Sequence, residues 1–348
     1  MYLIILNLIG FTVMAFAVEP QSVTGRARTT REWETGARRE LLRVWTGALG
    51  KLEPSSRDRQ FLPDIRKARE LRREDAGPYI RVELELPVET GYWQPHLLLL
   101  PKGFKGKRPA VVAWTSTTPD WREPEKWWGA WLAQRGYVVL TGWSFIRGYR
   151  GGADYARGVH EALYERFGYW APLSKMVYDA RRQAEYLRSL GSVDAKRIGF
   201  MGFSLSAKAA VYVAAFAPEF SAVVSIDPSL PLGPQPEGGG TNWEKPWYLD
   251  WERHSGKALA GHDHHELIAL RAPKPFLLIA GSADTEWGRP HSDGRATGRW
   301  IERAREVYRL YGAEDRLEFV ATGDGHAANG PEITPAWQRF LEKWLGGR

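Results

Sequence analysis

The spacing of apolar residues changes at position 79. Before it, apolar side chains recur at helical intervals over 30–45, which predicts an amphipathic helix. Over 79–86 apolar and charged residues alternate, as in a half-buried strand, and 96–100 is predicted to be its hairpin partner. The chain therefore divides into an N-terminal helical extension, residues 18–78, and a main domain, residues 79–348.

Six short apolar runs in the main domain are typical of strands buried in a parallel sheet. They lie at 109–114, 137–140, 198–203, 222–226, 276–280 and 317–321. Helical patterns separate these runs, and they lie at 125–134, 175–190, 205–216, 297–311 and 335–345. Alternation of this kind after an antiparallel pair is typical of α/β proteins. We predict a doubly wound, mostly parallel sheet of eight strands with helices on both faces.

A long insertion rich in proline, glycine and tryptophan separates two of these strands, at 228–265. A loop of this length without strong periodicity is usually functional. Flat tryptophan faces suit sugar rings or aryl groups, so three tryptophans of the insertion are predicted to bind substrate. They are Trp243, Trp247 and Trp251. Tryptophans that only pack a lid are the alternative, there and in the aromatic segment around Trp121, Trp127 and Trp128.

The N-terminus has the pattern of an export signal. Its first 18 residues carry no charged side chain, and Ala15-Phe16-Ala17 matches a cleavage site of the A-x-A type. We predict a signal peptide at 1–17, and a secreted or periplasmic protein without stable membrane insertion. A retained anchor is the alternative, because no lysine or arginine precedes the apolar run and its length approaches that of a transmembrane helix.

The composition excludes several kinds of site. The chain has no cysteine, which excludes disulfides, a thiol nucleophile and a cysteine-ligated metal. Its net charge of +7 is dispersed among acidic residues, so no nucleic-acid partner is predicted. His262, His264 and His265 invite a zinc interpretation, but they lack the spacing of a zinc motif. We predict a structural role for them and no metal.

A strand, a sharp turn and a helix are predicted around Ser204. The sequence Gly202-Phe203-Ser204-Leu205-Ser206 has the pattern of a nucleophile elbow, in which a serine at a strained turn is exposed above the sheet. The positions two before and two after the serine must be small because the chain approaches itself there, and glycine and serine meet this need. A serine that only caps the helix is the alternative.

The remaining members of a catalytic triad are expected in the order acid, then histidine. Asp284 follows one buried strand, and His326 lies in a glycine-rich loop after the next. Because open α/β sheets bind ligands at the carboxyl ends of their strands, these residues and Ser204 are expected at one edge. We predict Ser204 as nucleophile, His326 as general base and Asp284 as the acid that orients the histidine. Asp227, at the end of another strand, and Glu286 are the alternative acids.

Two backbone N–H groups are expected to bind the oxyanion of the tetrahedral intermediate. One belongs to Leu205, at the start of the helix after the serine, and the other to Thr115 or Ser116, after the first buried strand. Such a donor typically contributes about a hundred- to a thousandfold in rate. The alternative for 115–118 is a polar turn without a catalytic role.

These motifs resemble the α/β-hydrolase superfamily, and more narrowly bacterial carbohydrate esterases of the acetyl xylan esterase and glucuronoyl esterase type. The segments that carry the resemblance, besides the serine turn at 198–210, are 177–182, 193–199, 264–275 and 323–326. The resemblance implies an α/β-hydrolase fold and a carbohydrate ester as substrate. Glucuronoyl esterases have an arginine directly after the nucleophile, where this chain has Leu205. Their lysine three positions further on is kept as Lys208, for which the resemblance implies contact with the sugar.

The predicted function is hydrolysis of a carboxylic ester by a serine esterase similar to acetyl xylan esterases. The reaction passes through an acyl-enzyme and needs no cofactor. The predicted partner is a small-molecule or glycan ester. A serine peptidase or lipase on the same fold is one alternative, and a non-catalytic glycan-binding protein on a hydrolase scaffold is another.

Overall fold

The structure of the protein, a computed structural model, describes most of the chain. The described residues are 19–50, 52, 62–116, 120–142, 171–232, 259, 261–282 and 296–346. The predicted signal peptide lies outside them, as do Asp284 and the three tryptophans predicted to bind substrate.

Nine strands and eight α-helices make up the described part of the chain. The strands are β1 (Arg69–Asp75), β2 (Tyr79–Glu89), β3 (Tyr92–Pro101), β4 (Arg108–Trp114), β5 (Val138–Gly142), β6 (Val193–Phe203), β7 (Ala222–Ile226), β8 (Phe276–Gly281) and β9 (Leu317–Thr322). The helices are α1 (Thr30–Thr35), α2 (Ala37–Leu49), α3 (Ala130–Gln134), α4 (Pro172–Ser189), α5 (Leu205–Phe216), α6 (His264–Leu270), α7 (Thr297–Leu310) and α8 (Ile333–Trp344). A π-helical turn, Glu125–Gly129, runs directly into α3, and a 3-10 turn, Glu314–Arg316, precedes β9.

The described strands form one sheet in the order β1-β2-β3-β5-β4-β6-β7-β8-β9. β1, β2 and β3 pair antiparallel, and β3 also pairs antiparallel with β5, where Leu98 lies opposite Leu140. From β5 to β9 all neighbours are parallel. The carboxyl ends of β4 to β9 therefore lie at one edge, which is where ligands bind in sheets of this kind. The predicted mostly parallel sheet is confirmed, with nine strands instead of eight.

Alternate residues of the central strands belong to two buried cores. Val112 of β4 lies in a core that includes Met176 of α4, whereas its neighbour Val111 lies in a core that includes Trp337 of α8. A strand buried on both sides needs apolar residues at every position, which explains the continuous apolar runs of the sequence. Helices cover both faces of the sheet, as predicted.

The predicted helical extension is correct at its start and wrong at its end. α1 begins after Thr29, whose side chain accepts a hydrogen bond from the N–H of Glu32, and the Glu32 carboxylate accepts one from the N–H of Thr29. Residues 69–75, however, form the edge strand β1. Six of its seven residues are exposed, so this strand carries charges on both faces and lacks the alternation that reveals a half-buried strand.

The N-terminal helix α2 packs on α6, a short helix that the sequence patterns do not predict. Trp45 of α2 is fully buried, and its Nε1 donates to Glu266 Oε2 of α6 over 2.7 Å.

Among the described helices, none combines the length and the apolar character needed to cross a bilayer.

Candidate active site

Ser204 lies at the turn between β6 and α5. Its φ of 57° and ψ of −117° place it in a conformation that a residue with a side chain adopts only when its surroundings impose it. Its N–H donates to the carbonyl of Ile226 in β7 over 2.9 Å, which holds the turn against the sheet. Within α5 the hydroxyl makes no capping hydrogen bond. The turn therefore presents this hydroxyl to partners other than its own helix.

The residues around the turn are small for the reason expected from the sequence. A Cβ on Gly202 would lie 2.4 Å from the carbonyl oxygen of Ser206, so only glycine fits there. Ser206 stands where hydrolases usually have a second glycine. Its hydroxyl donates to the carbonyl of Thr115 and so ties α5 to the end of β4.

His326 meets Ser204 at the carboxyl edge of the sheet. Its Nε2 lies 2.8 Å from Ser204 Oγ, although the two residues are 122 positions apart in the sequence. The imidazole also packs against the ring of Phe203, with centroids 4.7 Å apart and planes inclined by 39°. A hydroxyl within hydrogen-bonding reach of an imidazole nitrogen is the arrangement from which a serine can be deprotonated.

Asp227 follows β7 and lies beside the histidine. Its side chain is fully buried, and its Oδ2 is 3.8 Å from His326 Nδ1. The N–H of Gly281 donates to Oδ1 over 2.6 Å, and the N–H of Ala327 donates to Oδ2 over 3.3 Å. A buried carboxylate at this distance favours the protonated form of an imidazole. Asp284 was predicted for this role and lies outside the described residues.

The predicted oxyanion donors have different outcomes. The N–H of Thr115 donates to the carbonyl of Gly142 over 2.9 Å, next to the β4–β5 pairing, which favours the other predicted donor of this segment, Ser116. Leu205 is the first residue of α5, where an N–H has no acceptor within its own helix and the helix dipole is positive. Ser116 is buried one position beyond Thr115 and stays a predicted donor.

The predicted substrate contacts are only partly within the described structure. Lys208 is buried, and its Nζ donates to the carbonyl of Ser229 over 3.2 Å, in the loop that follows Asp227. Of the tryptophans after β4, Trp121 and Trp128 are buried in the core with α8, whereas Trp127 is only half-buried. Trp127 is therefore the one of these three with surface left to offer a ligand.

The histidines that invited a zinc interpretation make contacts within the protein. His262 Nδ1 lies 2.9 Å and 3.0 Å from the two carboxylate oxygens of Glu266, and His265 Nε2 donates to the carbonyl of Gln21 over 3.0 Å. Burial raises the pKa of Glu266 and lowers the pKa of His265 to about 4. Across the described residues, no group of three metal-binding side chains has the geometry to hold an ion.

Two features of this site have no recognisable signal in the sequence. The motif leaves the residue before the nucleophile unspecified, and the packing of Phe203 on His326 depends on the loop after β9. Gly281 ends β8, and a Cβ there would lie 2.8 Å from the carbonyl oxygen of Gly325 in that same loop. Both contacts join segments that are distant in the sequence, so only the fold reveals them.

Residues 98–248 match the dienelactone hydrolase family. The match covers less than half of the chain, and it includes β4 to β7 and Ser204. A search of curated protein sequences gave no match. The family match at 98–248 confirms the predicted resemblance to α/β-hydrolases over the region that carries β4, β6, β7 and Ser204.

Solved structures of the same fold superpose on nearly the whole chain. A glucuronoyl esterase from Solibacter usitatus superposes with a TM-score of 0.72 at 17% identity, over 96% of this chain and 99% of that one. A carbohydrate esterase family 15 glucuronoyl esterase from Caldicellulosiruptor kristjansonii gives 0.67 at 18% identity, over 97% and 93%. A candidate acetyl xylan esterase from Bacteroides fragilis gives 0.57 at 16% identity, over 88% and 79%. The fold is that of α/β-hydrolases, and the family match supports the predicted carboxylic ester hydrolase.

Proposed function

We propose that this protein is a serine-dependent hydrolase of a carbohydrate ester and works through an acyl-enzyme. The observation that carries the proposal is the 2.8 Å separation of Ser204 Oγ and His326 Nε2 at a strained turn above the sheet. The turn satisfies the backbone of Ser204 through Ile226 and leaves its hydroxyl facing the imidazole. Such a pair at the carboxyl edge of an α/β sheet is suited to nucleophilic catalysis.

The first half of the reaction acylates the serine. His326 Nε2 takes the proton from Ser204 Oγ as that oxygen attacks the ester carbonyl, and the carbonyl oxygen becomes an oxyanion. The N–H of Leu205 and the N–H of Ser116 are proposed to bind this oxyanion. Collapse of the intermediate breaks the bond to the alcohol oxygen, which takes the proton from His326 as it leaves.

The second half returns the enzyme to its starting state. Water gives a proton to His326 Nε2 and attacks the acyl carbon, and the second intermediate expels Ser204 Oγ. The histidine returns its proton to the serine, and the carboxylic acid is released. The charge balance needs no metal or other cofactor at any step.

A carboxylate must stabilise the imidazolium during both halves. Asp227 has specific support for this role, because its buried Oδ2 lies 3.8 Å from His326 Nδ1 and two backbone N–H groups hold it there. Asp284, favoured by the order of the motifs along the chain, is the other candidate. Either carboxylate would orient the ring and favour its charged form.

The substrate is proposed to be an ester of a carbohydrate. The fold of the chain is shared with glucuronoyl esterases over most of its length, which supports a carbohydrate ester. Leu205 replaces the arginine that glucuronoyl esterases have after the nucleophile, which supports an acetyl ester rather than a glucuronoyl ester as the substrate. The predicted signal peptide supports an activity in the periplasm or outside the cell.

A comparison of three esters tests the proposal. Acetylated xylo-oligosaccharides, a methyl glucuronate ester and p-nitrophenyl acetate are offered to the wild-type protein and to Ser204→Ala. Release of acetate from the oligosaccharide, lost by at least about a thousandfold in Ser204→Ala, is the expected result. Turnover of the aryl acetate alone contradicts the carbohydrate substrate, and activity that survives in Ser204→Ala contradicts the serine mechanism.

A further inference from the structure

The loop that carries His326 is joined to the segment after β4 through Asn329. The Asn329 Nδ2 donates to the carbonyl of Trp127 over 3.0 Å. On the other side of the amide, Oδ1 accepts from Trp337 Nε1 and from Thr334 Oγ1, each over 3.2 Å. An indole N–H can only donate, so it fixes which end of the amide is the oxygen. The amide nitrogen must therefore face Trp127.

A second hydrogen bond joins the same two segments. The Nε1 of Trp128, which is fully buried, donates to the carbonyl of Ala328 over 3.2 Å. Adjacent residues, Trp127 and Trp128, thus offer a carbonyl and an indole to adjacent residues of the histidine loop. Both tryptophans lie in the π-helical turn Glu125–Gly129, and π-helical turns within helices are frequent at functional sites.

The side chain of Trp127 also reaches the nucleophile turn. Its ring lies edge-on to that of Phe203, with centroids 5.8 Å apart, and Phe203 in turn packs on the imidazole of His326. The same residue therefore contacts the segment that carries Ser204 through its ring and the segment that carries His326 through its carbonyl.

We infer that Asn329 is a positioning residue, which holds the His326 loop at the distance that catalysis needs. The inference rests on the proposed function. The loop contains glycines at positions 323, 325 and 330, and glycine leaves a backbone many accessible conformations. The hydrogen bonds that join Asn329 to Trp127 and Ala328 to Trp128 restrict the conformations of this loop. A displacement of about 1 Å in a reacting group can cost a hundredfold in rate, so these bonds act on catalysis rather than on substrate affinity.

The variant Asn329→Asp separates positioning from packing. It keeps the shape of the side chain and the acceptor for Trp337 and Thr334, but it replaces the donor to Trp127 with a carboxylate oxygen. We expect kcat for p-nitrophenyl acetate to fall about ten- to a hundredfold, while KM changes less than about threefold. Unchanged kcat would overturn the inference.

The matched control is Tyr137→Phe. The Tyr137 hydroxyl is buried and donates to the carbonyl of Leu341 in α8 over 3.2 Å, so this variant also removes one neutral hydrogen bond from the same side of the sheet. Its hydrogen-bond partner, Leu341, lies in α8 and outside the His326 loop. We expect Asn329→Asp to lower Tm at least as much as Tyr137→Phe, because it also introduces a charge, and we expect a loss of kcat only from Asn329→Asp. Equal effects of the two variants on kcat would show that Asn329 contributes only to packing, and would overturn the positioning role.

A crystal structure of Asn329→Asp tests the inference independently of turnover. The expected result is a displaced histidine loop, with His326 Nε2 outside hydrogen-bonding reach of Ser204 Oγ. An undisplaced loop overturns the positioning role even if the wild-type protein proves inactive on every ester. An inactive wild-type protein whose variant has a displaced loop refutes the proposed function but not the positioning role, so the two failures are distinguishable.

Discussion

Asp227 joins the end of β8 to the loop that carries His326. One of its carboxylate oxygens accepts from the N–H of Gly281 at the end of β8, and the other accepts from Ala327, the residue directly after the histidine. The second oxygen is also 3.8 Å from His326 Nδ1. The carboxylate therefore acts on the histidine in two ways, by fixing the backbone next to it and by its charge.

Replacing each candidate acid with its amide identifies the triad acid. Asp227→Asn should lower kcat by about a thousand- to ten-thousandfold if it stabilises the imidazolium, because an amide supplies no negative charge. Asp284→Asn should then lower kcat by less than about tenfold. Steady-state kinetics on one ester, with circular dichroism to verify folding, measures both. A larger loss of kcat in Asp284→Asn than in Asp227→Asn would instead identify Asp284 as the triad acid.

A methyl group at position 281 should displace the histidine loop. The Cβ of Gly281→Ala would lie 2.8 Å from the carbonyl oxygen of Gly325 and 2.9 Å from that of Asp324, and real Cβ atoms do not approach backbone oxygens so closely. We expect kcat to fall about ten- to a hundredfold with little change in KM. Gly191→Ala, at a position with no atom within 4 Å of the new Cβ, is the control and should keep full activity. Full activity in Gly281→Ala would mean that the loop adjusts without moving the imidazole.

The variant Lys208→Met, measured on two substrates, distinguishes a role of Lys208 in sugar binding from a role in packing. If its side chain contacts the carbohydrate, Lys208→Met should raise KM for an acetylated oligosaccharide several-fold and leave kcat/KM for p-nitrophenyl acetate unchanged, since the small ester makes no such contact. Equal losses on the two substrates would instead assign Lys208 to its hydrogen bond with the Ser229 carbonyl. The two substrates are thus each other's control.

The stability of the protein should decrease as the pH falls below neutrality, in part through His265. Burial lowers the pKa of this imidazole from 6.5 to about 4, and among the described residues its Nδ1 has no hydrogen-bond partner. Between these values the unfolded chain binds a proton that the folded chain does not, so the free energy of unfolding falls as the pH falls. The expected contribution is about 2 kcal/mol between pH 7 and pH 5.

The variant His265→Gln isolates this contribution from other titrating groups. It keeps a donor for the carbonyl of Gln21 but has no ionisable group. Urea unfolding at the two pH values should give a loss of stability that is smaller in the variant by about 2 kcal/mol. An equal loss in both proteins would mean that the imidazole is already charged in the folded state or is accessible to water.

Local patterns predict the buried part of this fold well. The bounds of α5 and β7 follow from the sequence to the residue, because β7 is buried on both faces and α5 begins at the strained turn of Ser204. β1 is not predictable in this way, since its exposed and charged residues reflect its place at the edge of the sheet. Burial of a strand thus produces a recognisable run of apolar residues in the sequence, whereas a position at the edge of the sheet produces no such pattern.

The site is predictable in its residues but not in its contacts. Ser204 and His326 follow from the small residues of one turn and the glycines of another loop. The choice between Asp227 and Asp284 depends on how the strand ends lie around the histidine, which no local pattern contains. The hydrogen bond from the N–H of Thr115 to the carbonyl of Gly142 likewise depends on the register of β4 and β5, and it engages a donor that the motif alone suggests for the oxyanion.

Covalent labelling by a fluorophosphonate tests the central claim most directly. The reagent reacts with a serine hydroxyl only where a neighbouring base activates it. The account predicts that the native protein is labelled at Ser204 alone, as located by peptide mass spectrometry, and that Ser204→Ala and His326→Ala are not labelled. A native protein that takes up no label, or a label that persists in Ser204→Ala, would contradict it.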